Sequence, residues 1–346
     1  MEIEEPRARA IAQKLLDWYA RGHRELPWRQ TRDPYRIWIS EIMCQQTQVD
    51  TVAPRYERFV ERFPTVSDLA AVAEEAVCEE WAGLGYYSRA RNLHKAARLV
   101  VSDYQGQLPR TAKELRALPG VGRYTAGAVA SIAHRERAAV VDGNVGRVYS
   151  RMFELSDVPT SSVGQRTLWG IAERIVPEDE PGDFNQALME LGATVCTPKS
   201  PKCLLCPVRE QCDAYAKGSV ERFPVPKPRA KRKPMSVVFA WVESDTGGLW
   251  LVQRALSGLW AGLWEMPSAT TVEQLCEDLG AASAGEPLAQ VEHTLSHRDV
   301  VATVFAMPPL DRSPPRWRHY DRPLDAPLSA LARKAIEAVG PPEARF

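Results

Sequence analysis

Apolar side chains recur every three or four positions through the first part of the chain. The segments 11–19, 66–72 and 93–100 show this spacing, which is the period of an α-helix with one buried face. Proline and glycine turns such as Pro119-Gly120 separate the periodic segments. The pattern therefore predicts an all-α region over residues 1–220. Two threonines that each follow a proline turn, Thr65 and Thr111, are predicted N-caps.

The pattern changes from helical to strand-like periodicity after residue 234. Short runs rich in β-branched and aromatic residues follow, and the tetrapeptide 245–248, DTGG, predicts a hairpin between the first two. The region 236–346 is therefore predicted to be an α/β domain. Its predicted elements are strands at 236–243, 249–254 and 299–306 and a helix at 271–279.

The segment between these regions has a composition that does not favour packing. Residues 222–234, RFPVPKPRAKRKP, carry four prolines and six basic side chains. Such a stretch is typical of an extended linker. We therefore predict a helical domain at 1–220, a basic linker at 221–235 and an α/β domain at 236–346.

Composition and charge narrow the class of protein. The 346 residues include 44 basic and 44 acidic side chains, and 45% are hydrophobic, which argues against disorder and against a strongly basic nucleic-acid coat protein. The charge is nevertheless uneven, because residues 89–147 hold eleven basic and four acidic side chains. No apolar run approaches the ~20 residues that span a bilayer, and the first twenty lack a signal-peptide core. We therefore expect a cytoplasmic protein with a local basic face.

Four of the seven cysteines are close in sequence, with the spacing Cys-x6-Cys-x2-Cys-x5-Cys. In a cytoplasmic protein such thiols are expected to bind a metal rather than to form disulfides. One close pair with single flanking cysteines favours an iron–sulfur cluster over zinc, because zinc ribbons usually have two close pairs. The candidate ligands are Cys196, Cys203, Cys206 and Cys212.

A glycine-containing turn, LPGVG at 118–122, connects two predicted helices, Ala112–Ala117 and Arg123–Ala133. Gly120 and Gly122 permit a sharp bend with bare N–H groups, and the second helix adds its N-terminal dipole. Four basic side chains flank the turn. The segment predicts a seat for a DNA phosphate, with an ordinary turn between helices as the alternative.

These motifs together resemble a known family. The hairpin LPGVGRYTAGAVASIA and the following VVDGNVGRV are similar to those of the helix-hairpin-helix Gly/Pro–Asp DNA glycosylases, and the cysteine spacing is similar to that of their iron–sulfur branch. LPWR at 26–29, DPYRIWISEIMCQQTQV at 33–49 and GLGYYSRARNLHKAA at 83–97 resemble the MutY-type adenine-specific members. The C-terminal RALSGLWAGLWEMP and HTLSH resemble the Nudix-like domain of that family. The resemblance implies a helix-hairpin-helix near 112–133 and a [4Fe-4S] cluster in the loop 196–212.

The resemblance also implies an activity. The expected reaction is hydrolysis of the N-glycosidic bond of adenine mispaired with 8-oxoguanine or guanine in double-stranded DNA. The adenine must leave the base stack first, which costs a few kcal/mol. We expect the protein to act as a monomer, away from membranes and associated with the nucleoid.

Two carboxyl groups are the candidate catalytic groups. Glu41 lies in an apolar helical stretch, so burial is expected to raise its pKa and keep a proton for donation; the resemblance assigns that proton to N7 of adenine. Asp142 follows an apolar run at a predicted helix start, where it is either a plain N-cap or the group that stabilises an oxocarbenium-like sugar, or both. Asn144 is expected to orient water or a carboxylate.

Position 124 distinguishes two kinds of glycosylase. Relatives that also cut the DNA strand have a lysine there, which forms a Schiff base with the sugar. This chain has Tyr124, and a phenol cannot form an imine, so we predict a monofunctional enzyme.

The resemblance assigns five further residues to base handling. Trp28, Arg29 and Gln186 are expected to line the adenine pocket. Gln46 and Tyr86 are expected to enter the duplex and help to expel the base. Core packing is the alternative for Trp28 and Tyr86.

The C-terminal domain is predicted to recognise the lesion rather than to hydrolyse a nucleotide. The stretch that corresponds to the Mg²⁺-binding Nudix box lacks its Gly, its Arg and one Glu. Where the family has Phe-Ser-His, this chain has Leu295-Ser296-His297. Ser296 is expected to hydrogen-bond the oxidised guanine, Leu295 provides no aromatic stacking, and His297 is either functional or structural.

Three other functions stay open from the residues. A bifunctional, endonuclease III-like glycosylase/lyase is opposed by Tyr124. In a non-catalytic DNA-binding protein with a structural cluster, Glu41 and Asp142 would be incidental. A nucleotide hydrolase is opposed by the incomplete Nudix box.

Overall fold

The chain divides into two compact units, residues 1–228 and 229–346. The division falls inside the segment predicted as a linker, 221–235, although the first strand of the second unit already begins at Lys233. No helix among the described residues is long and apolar enough to cross a bilayer. The computed structural model describes residues 3–227, 232–244, 247–255, 258–295, 297–308, 317–340 and 342.

The first unit is helical, which confirms the prediction from periodicity. Thr65 and Thr111 are N-caps as predicted, and each forms a capping box with the acidic residue three positions later. The helices are α1 (Glu5–Arg21), α2 (Pro34–Cys44), α3 (Val49–Arg62), α4 (Val66–Ala71), α5 (Glu74–Glu80), α6 (Ser88–Asp103), α7 (Ala112–Leu115), α8 (Arg123–His134), α9 (Gly143–Met152), α10 (Ser162–Ile175), α11 (Pro181–Thr194) and α12 (Asp213–Ala216).

The helix-hairpin-helix is formed by α7 and α8, but its first helix is shorter than the predicted 112–117. After Leu115 the chain continues in tighter turns, in which the N–H of Ala117 binds the carbonyl of Glu114 at 2.9 Å and the N–H of Leu118 binds that of Leu115 at 3.1 Å. These three-residue turns lead directly into the glycine turn. The second helix begins at Arg123 as predicted.

Helix α2 is buried on nearly all sides. Tyr35 and every residue from Ile37 to Met43 are buried, and α2 packs against α8 and α3. A helix that is apolar all round is the expected sequence for such a position. Glu41 is therefore carried into the interior by its apolar neighbours.

Helix α11 packs closely against α8, α9 and α1. Its approach to α9 requires a glycine, because a Cβ atom at Gly192 would lie 2.6 Å from Cβ of Asn144. This packing brings α8, α9 and α11 together, and these helices carry most of the candidate site.

Among its described residues, the second unit has two sheets and two α-helices, as expected for an α/β domain. One sheet has the order β4-β1-β6-β5, with β1 and β6 parallel, and the other has the order β3-β2-β7. The elements are β1 (Lys233–Trp241), β2 (Leu249–Gln253), β3 (Trp264–Glu265), β4 (Ser268–Ala269), α13 (Val272–Leu279), β5 (Pro287–Thr294), β6 (Arg298–Ala306), β7 (Trp317–Tyr320) and α14 (Ala330–Val339).

Strand β1 is the centre of this unit because both of its faces are buried. Val237, Phe239 and Trp241 face a core that includes α14 residues, whereas Val238 and Ala240 face a second cluster with Leu275 of α13. This two-sided burial explains the continuous apolar run in the sequence.

The predicted hairpin between the first two strands is confirmed only beside its turn, where the N–H of Trp250 binds the carbonyl of Val242 at 3.0 Å. β1 and β2 lie in different sheets and are joined by one isolated antiparallel bridge between Glu243 and Leu249. Asp245 and Thr246 lie outside the described residues. The neighbours of β1 in its sheet are β4 and β6, and β6 pairs with it at a separation of 65 residues. Local turn signals carry no information about such pairing.

Candidate active site

Glu41 lies inside the helical unit with 8% of its surface exposed. Burial raises its pKa to about 7, and the negative charge of Asp142 acts in the same direction. A hydrogen bond with Tyr124 and the charge of Arg29 act in the opposite direction and are outweighed. The carboxyl therefore retains its proton to near-neutral pH, as the sequence predicted.

Tyr124 lies in the first turn of α8 and connects α2 to α11. Its hydroxyl interacts with Glu41 and lies 3.0 Å from Sδ of Met189. Burial, followed by the charges of Glu41 and Asp142, raises its pKa well above the ordinary value. The phenol is therefore a neutral hydrogen-bonding group between helices.

Asp142 is the N-cap of α9. One carboxylate oxygen accepts the backbone N–H of Val145 at 2.7 Å, and the other accepts Nδ2 of Asn144 at 3.0 Å. Burial raises its pKa, against the effect of these hydrogen bonds. The N-cap reading is thus confirmed, and the capped carboxylate is also close enough to affect the pKa of Glu41.

An ion-pair cluster around one buried carboxylate lies beside these groups, and two of its members, Arg24 and Glu190, were not predicted from the sequence. Glu190 of α11 is 2% exposed, and its carboxylate binds Arg24 at 2.8 Å and Arg29 at 2.8 Å. Burial alone would raise its pKa, but the two guanidinium groups bring it below the ordinary value. The one sequence feature that points to Glu190 is its position as a single acid in the apolar stretch FNQALMELGA. Its partners are too distant in sequence to be inferred from it.

The other predicted pocket residues are also buried. Trp28 packs edge-on against Tyr56, with ring centroids 5.3 Å apart, which is the core-packing alternative. Gln186 donates to a carboxylate oxygen of Asp183 at 3.3 Å. Arg29 lies over the ring of Tyr19 at 5.5 Å. The structure thus places Trp28 and Gln186 in the interior of the unit that contains Glu41.

Gln46 and Tyr86 are exposed residues in two loops. Both have left-handed backbone conformations, with φ of 56° and 46°, which are uncommon for residues other than glycine. Tyr86 is 61% exposed, so it is not a core residue. Its alternative assignment to core packing is therefore wrong.

The two glycines of the hairpin differ in what the fold requires. Gly120 has a φ of 76°, and a Cβ atom there would lie 2.7 Å from Cβ of Asn92. Gly122 is the N-cap of α8 with an ordinary φ, and a Cβ atom there would meet nothing within 4 Å. The fold requires glycine at 120 but not at 122.

The four clustered cysteines line one cavity, together with apolar side chains such as Val148 and Leu191. The buried guanidinium of Arg151 lies 3.3 Å from Sγ of Cys196, which suits an anionic thiolate. Among the residues described, no three His, Cys, Asp or Glu side chains are grouped closely enough for a single metal ion. Four thiols around a shared cavity and a cation beside them fit a group that thiolates hold.

A chain of hydrogen bonds links this loop to the catalytic candidates. Arg147 donates to Oδ1 of Asn144 at 2.9 Å and to the carbonyl of Cys196 at 2.8 Å. Because Asn144 in turn donates to Asp142, the side chains of Asn144 and Arg147 connect the carboxylate to the backbone of the first clustered cysteine.

The predicted lesion-recognition residues lie between β5 and β6. Leu295 is half-buried and its N–H binds the carbonyl of Arg298 at 2.8 Å, whereas His297 is exposed and its carbonyl accepts the N–H of Lys233 at 3.1 Å. Ser296 lies outside the described residues.

Comparison with known proteins identifies the family. Residues 39–174 match the model of the HhH-GPD superfamily of base excision DNA repair proteins, and residues 237–338 match that of the NUDIX domain. The adenine DNA glycosylase of Mus musculus is 37% identical over 398 aligned positions, which cover 94% of this chain and 77% of the mouse protein. The chain belongs to the adenine DNA glycosylase family. It is accordingly a base-excision-repair enzyme.

Solved structures support the same fold for the helical unit. A thermostable thymine-DNA glycosylase matches with a TM-score of 0.56 and 34% identity, covering 61% of this chain and 98% of that protein. A trapped endonuclease III–DNA covalent intermediate matches with a TM-score of 0.53 and 28% identity, covering 63% of this chain and 99% of that protein. Helical glycosylase architecture is therefore common to this family member and to enzymes with other named activities.

Proposed function

We propose that this adenine DNA glycosylase acts on adenine mispaired with 8-oxoguanine or guanine in duplex DNA. The observation that supports the proposal best is the buried carboxyl of Glu41, whose pKa of about 7 lets it retain a proton. Asp142 and Tyr124 lie beside it. One acid that can donate a proton and one carboxylate that can stabilise positive charge are the groups that glycosidic bond cleavage needs.

The residues divide the reaction between them. Glu41 donates its proton to N7 of adenine, and the C1′–N9 bond breaks with its electron pair leaving on the base. The carboxylate of Asp142 stabilises the oxocarbenium-like sugar. Asn144, which Asp142 and Arg147 hold in place, orients a water molecule that adds to C1′ and loses its proton to a carboxylate.

Tyr124 makes the enzyme monofunctional in this proposal. Its phenol occupies the place where a Schiff-base lysine would stand, and it interacts with Glu41 instead. Adenine release should therefore leave an intact strand with an abasic site.

The extruded adenine is proposed to bind beside the ion-pair cluster. Glu190 and Arg29 offer an acceptor and a donor to the edge of the base, Gln186 adds an amide, and Trp28 closes the apolar side. The ion pair between Arg29 and Glu190 stabilises both charges in a buried place.

Duplex DNA is proposed to bind at the hairpin. Gly122 offers open space in front of the first turn of α8, so a phosphate can approach its N–H groups. The loop of Leu295, Ser296 and His297 is proposed to contact the opposite base. We further propose that the protein acts as a monomer and is associated with the nucleoid in the cytoplasm.

A [4Fe-4S] cluster is the proposed cofactor. Cys196, Cys203, Cys206 and Cys212 would hold it, and Arg151 would compensate their negative charge. When bound, the cluster would crosslink the loop 196–212 through its four thiolates. Absorbance in the visible range and iron content of the purified protein separate this proposal from zinc.

The test is single-turnover excision by wild type and Glu41→Gln on a duplex with one adenine opposite 8-oxoguanine. We expect the variant to bind this duplex and to lose base release by about 10³-fold, as for loss of a general acid. Equal rates for the two proteins would refute the assignment. Strand breaks without alkali, together with trapping by borohydride, would refute the monofunctional reaction.

A further inference from the structure

The two loops that carry Gln46 and Tyr86 come from different parts of the chain. The first follows α2, and the second lies between α5 and α6. Each holds one non-glycine residue in the left-handed region, and such conformations persist only where the surroundings hold them. The structure must therefore contain groups that fix both loops.

One guanidinium group, that of Arg89 in the first turn of α6, binds both loops. Its Nη1 atom donates to the last turn of α2 and the residue after it, and its Nη2 atom donates to the second loop and to a threonine hydroxyl. The acceptors are the carbonyl oxygens of Ile42 (2.9 Å), Met43 (3.0 Å), Gln45 (2.5 Å), Leu84 (2.8 Å) and Gly85 (3.2 Å) and Oγ1 of Thr47 (3.1 Å).

Two of these acceptors lie directly before the left-handed residues. The carbonyl of Gln45 belongs to the peptide that precedes Gln46, and the carbonyl of Gly85 belongs to the peptide that precedes Tyr86. A planar guanidinium with donors in a fixed fork sets the orientation of both peptides at once. Lysine has no such fork, since its donors rotate on one nitrogen.

The ring of Tyr86 is supported by the same group. Cζ of Arg89 lies 5.7 Å from the ring centroid of Tyr86 and 5.5 Å from that of Trp81, which is buried. The indole N–H of Trp81 donates to the carbonyl of Gly85 at 3.2 Å. Tyr86 is thus held from the protein side while most of its surface stays exposed.

From this arrangement we propose that Arg89 is a positioning residue for base extrusion. It fixes the separation of Gln46 and Tyr86, so that both side chains enter the duplex together. The proposal rests on the proposed function, because it assigns those two side chains to the expulsion of adenine. Arg89 itself lies outside the chemistry at Glu41.

The test compares two duplexes in single-turnover excision at saturating enzyme. One has adenine opposite 8-oxoguanine between matched pairs, and the other has the same pair flanked by mismatches that already unstack the adenine. We expect Arg89→Met to slow excision from the matched duplex about 100-fold, as small misplacements can, and to slow it much less on the pre-opened duplex. Arg89→Lys keeps the charge without the fork and should give the same selective loss, smaller in size.

A second readout measures extrusion without chemistry. In the Glu41→Gln background, 2-aminopurine at the target position should brighten on binding, and the further change Arg89→Lys should reduce that rise. Arg62→Met and Arg62→Lys, at an exposed arginine at the end of α3, are the matched controls and should change neither readout.

Equal losses on both duplexes, or an unchanged fluorescence rise, would overturn the proposal and leave Arg89 a structural residue only. Thermal unfolding of each variant shows whether it folds, and Arg89→Lys carries the test if Arg89→Met does not. Failure of the proposed function would look different, since wild type would then release adenine from neither duplex.

Discussion

Glu41 and Glu190 are two buried carboxyl groups of the same helical unit, and their surroundings shift their pKa values in opposite directions. They are 8% and 2% exposed. Burial raises the pKa of Glu41 to about 7. It acts in the same direction on Glu190, but Arg24 and Arg29 bind that carboxylate and bring its pKa below the ordinary value. Both carboxyl groups are buried, so burial alone does not decide which one keeps its proton. The guanidinium groups bound to Glu190 keep it ionised, whereas Glu41 stays protonated.

The pairing of Arg29 with Glu190 also protects the proton of Glu41. The charge of Arg29 lowers the pKa of Glu41, but its guanidinium binds Glu190 at 2.8 Å, which offsets that charge. A proton donor and an ionised acid can thus both lie in the interior of one helical unit because Arg24 and Arg29 pair with the second acid.

Replacement of the ionised acid, Glu190, should have the largest effect on the free energy of unfolding. Glu190→Gln leaves Arg24 and Arg29 without their carboxylate, and Arg29 is 7% exposed at its side chain. Breaking a buried ion pair from one side costs about 3–5 kcal/mol of the free energy of unfolding. Chemical denaturation at pH 7 measures it, with the exposed residue change Glu57→Gln as control. A variant as stable as wild type would contradict the ion-pair account.

Replacement of the protonated acid, Glu41, should instead increase the free energy of unfolding. The folded-state pKa of Glu41 is raised from 4.5 to about 7. The stability that depends on its proton is therefore fully present below pH 4.5 and is lost as the pH rises through 7. Glu41→Gln should therefore be more stable than wild type by up to about 3 kcal/mol at pH 8 and nearly equal to it at pH 4. Thermal unfolding at both pH values checks this. A variant less stable than wild type at pH 8 would contradict the raised pKa of Glu41.

A smaller effect is expected from the hydrogen bond that Tyr124 makes with Glu41. This bond lowers the pKa of Glu41, so Tyr124→Phe should raise it and move the fall of the excision rate to higher pH. The rate at low pH should change little if the phenol only adjusts acidity. Single-turnover excision as a function of pH measures both quantities, and a shift to lower pH would contradict the assigned contact.

The comparison also shows what the sequence could predict. Burial of Glu41 follows from its apolar neighbours on one helix, and the N-caps Thr65 and Thr111 follow from local capping chemistry. Both were predicted. Glu190 was missed because its partners Arg24 and Arg29 are more than 160 residues away, and no local pattern reports such a pair.

The second unit gives the same lesson for the fold. Its α/β class follows from the period of the apolar residues, but the pairing of β1 with β6 is non-local. The tetrapeptide 245–248 indicated a hairpin from local turn chemistry alone, and the two strands that it connects belong to different sheets.

The pH dependence of adenine release by the wild-type protein tests the central claim most directly. If Glu41 donates the proton while Asp142 stays ionised, the single-turnover rate on an adenine:8-oxoguanine duplex should be highest at pH values below the Glu41 pKa of about 7 and above the pKa of Asp142. It should fall tenfold per pH unit above a midpoint near pH 7. Glu41→Gln should show no such midpoint in its residual rate. A wild-type rate that stays constant from pH 6 to pH 9 would contradict the account.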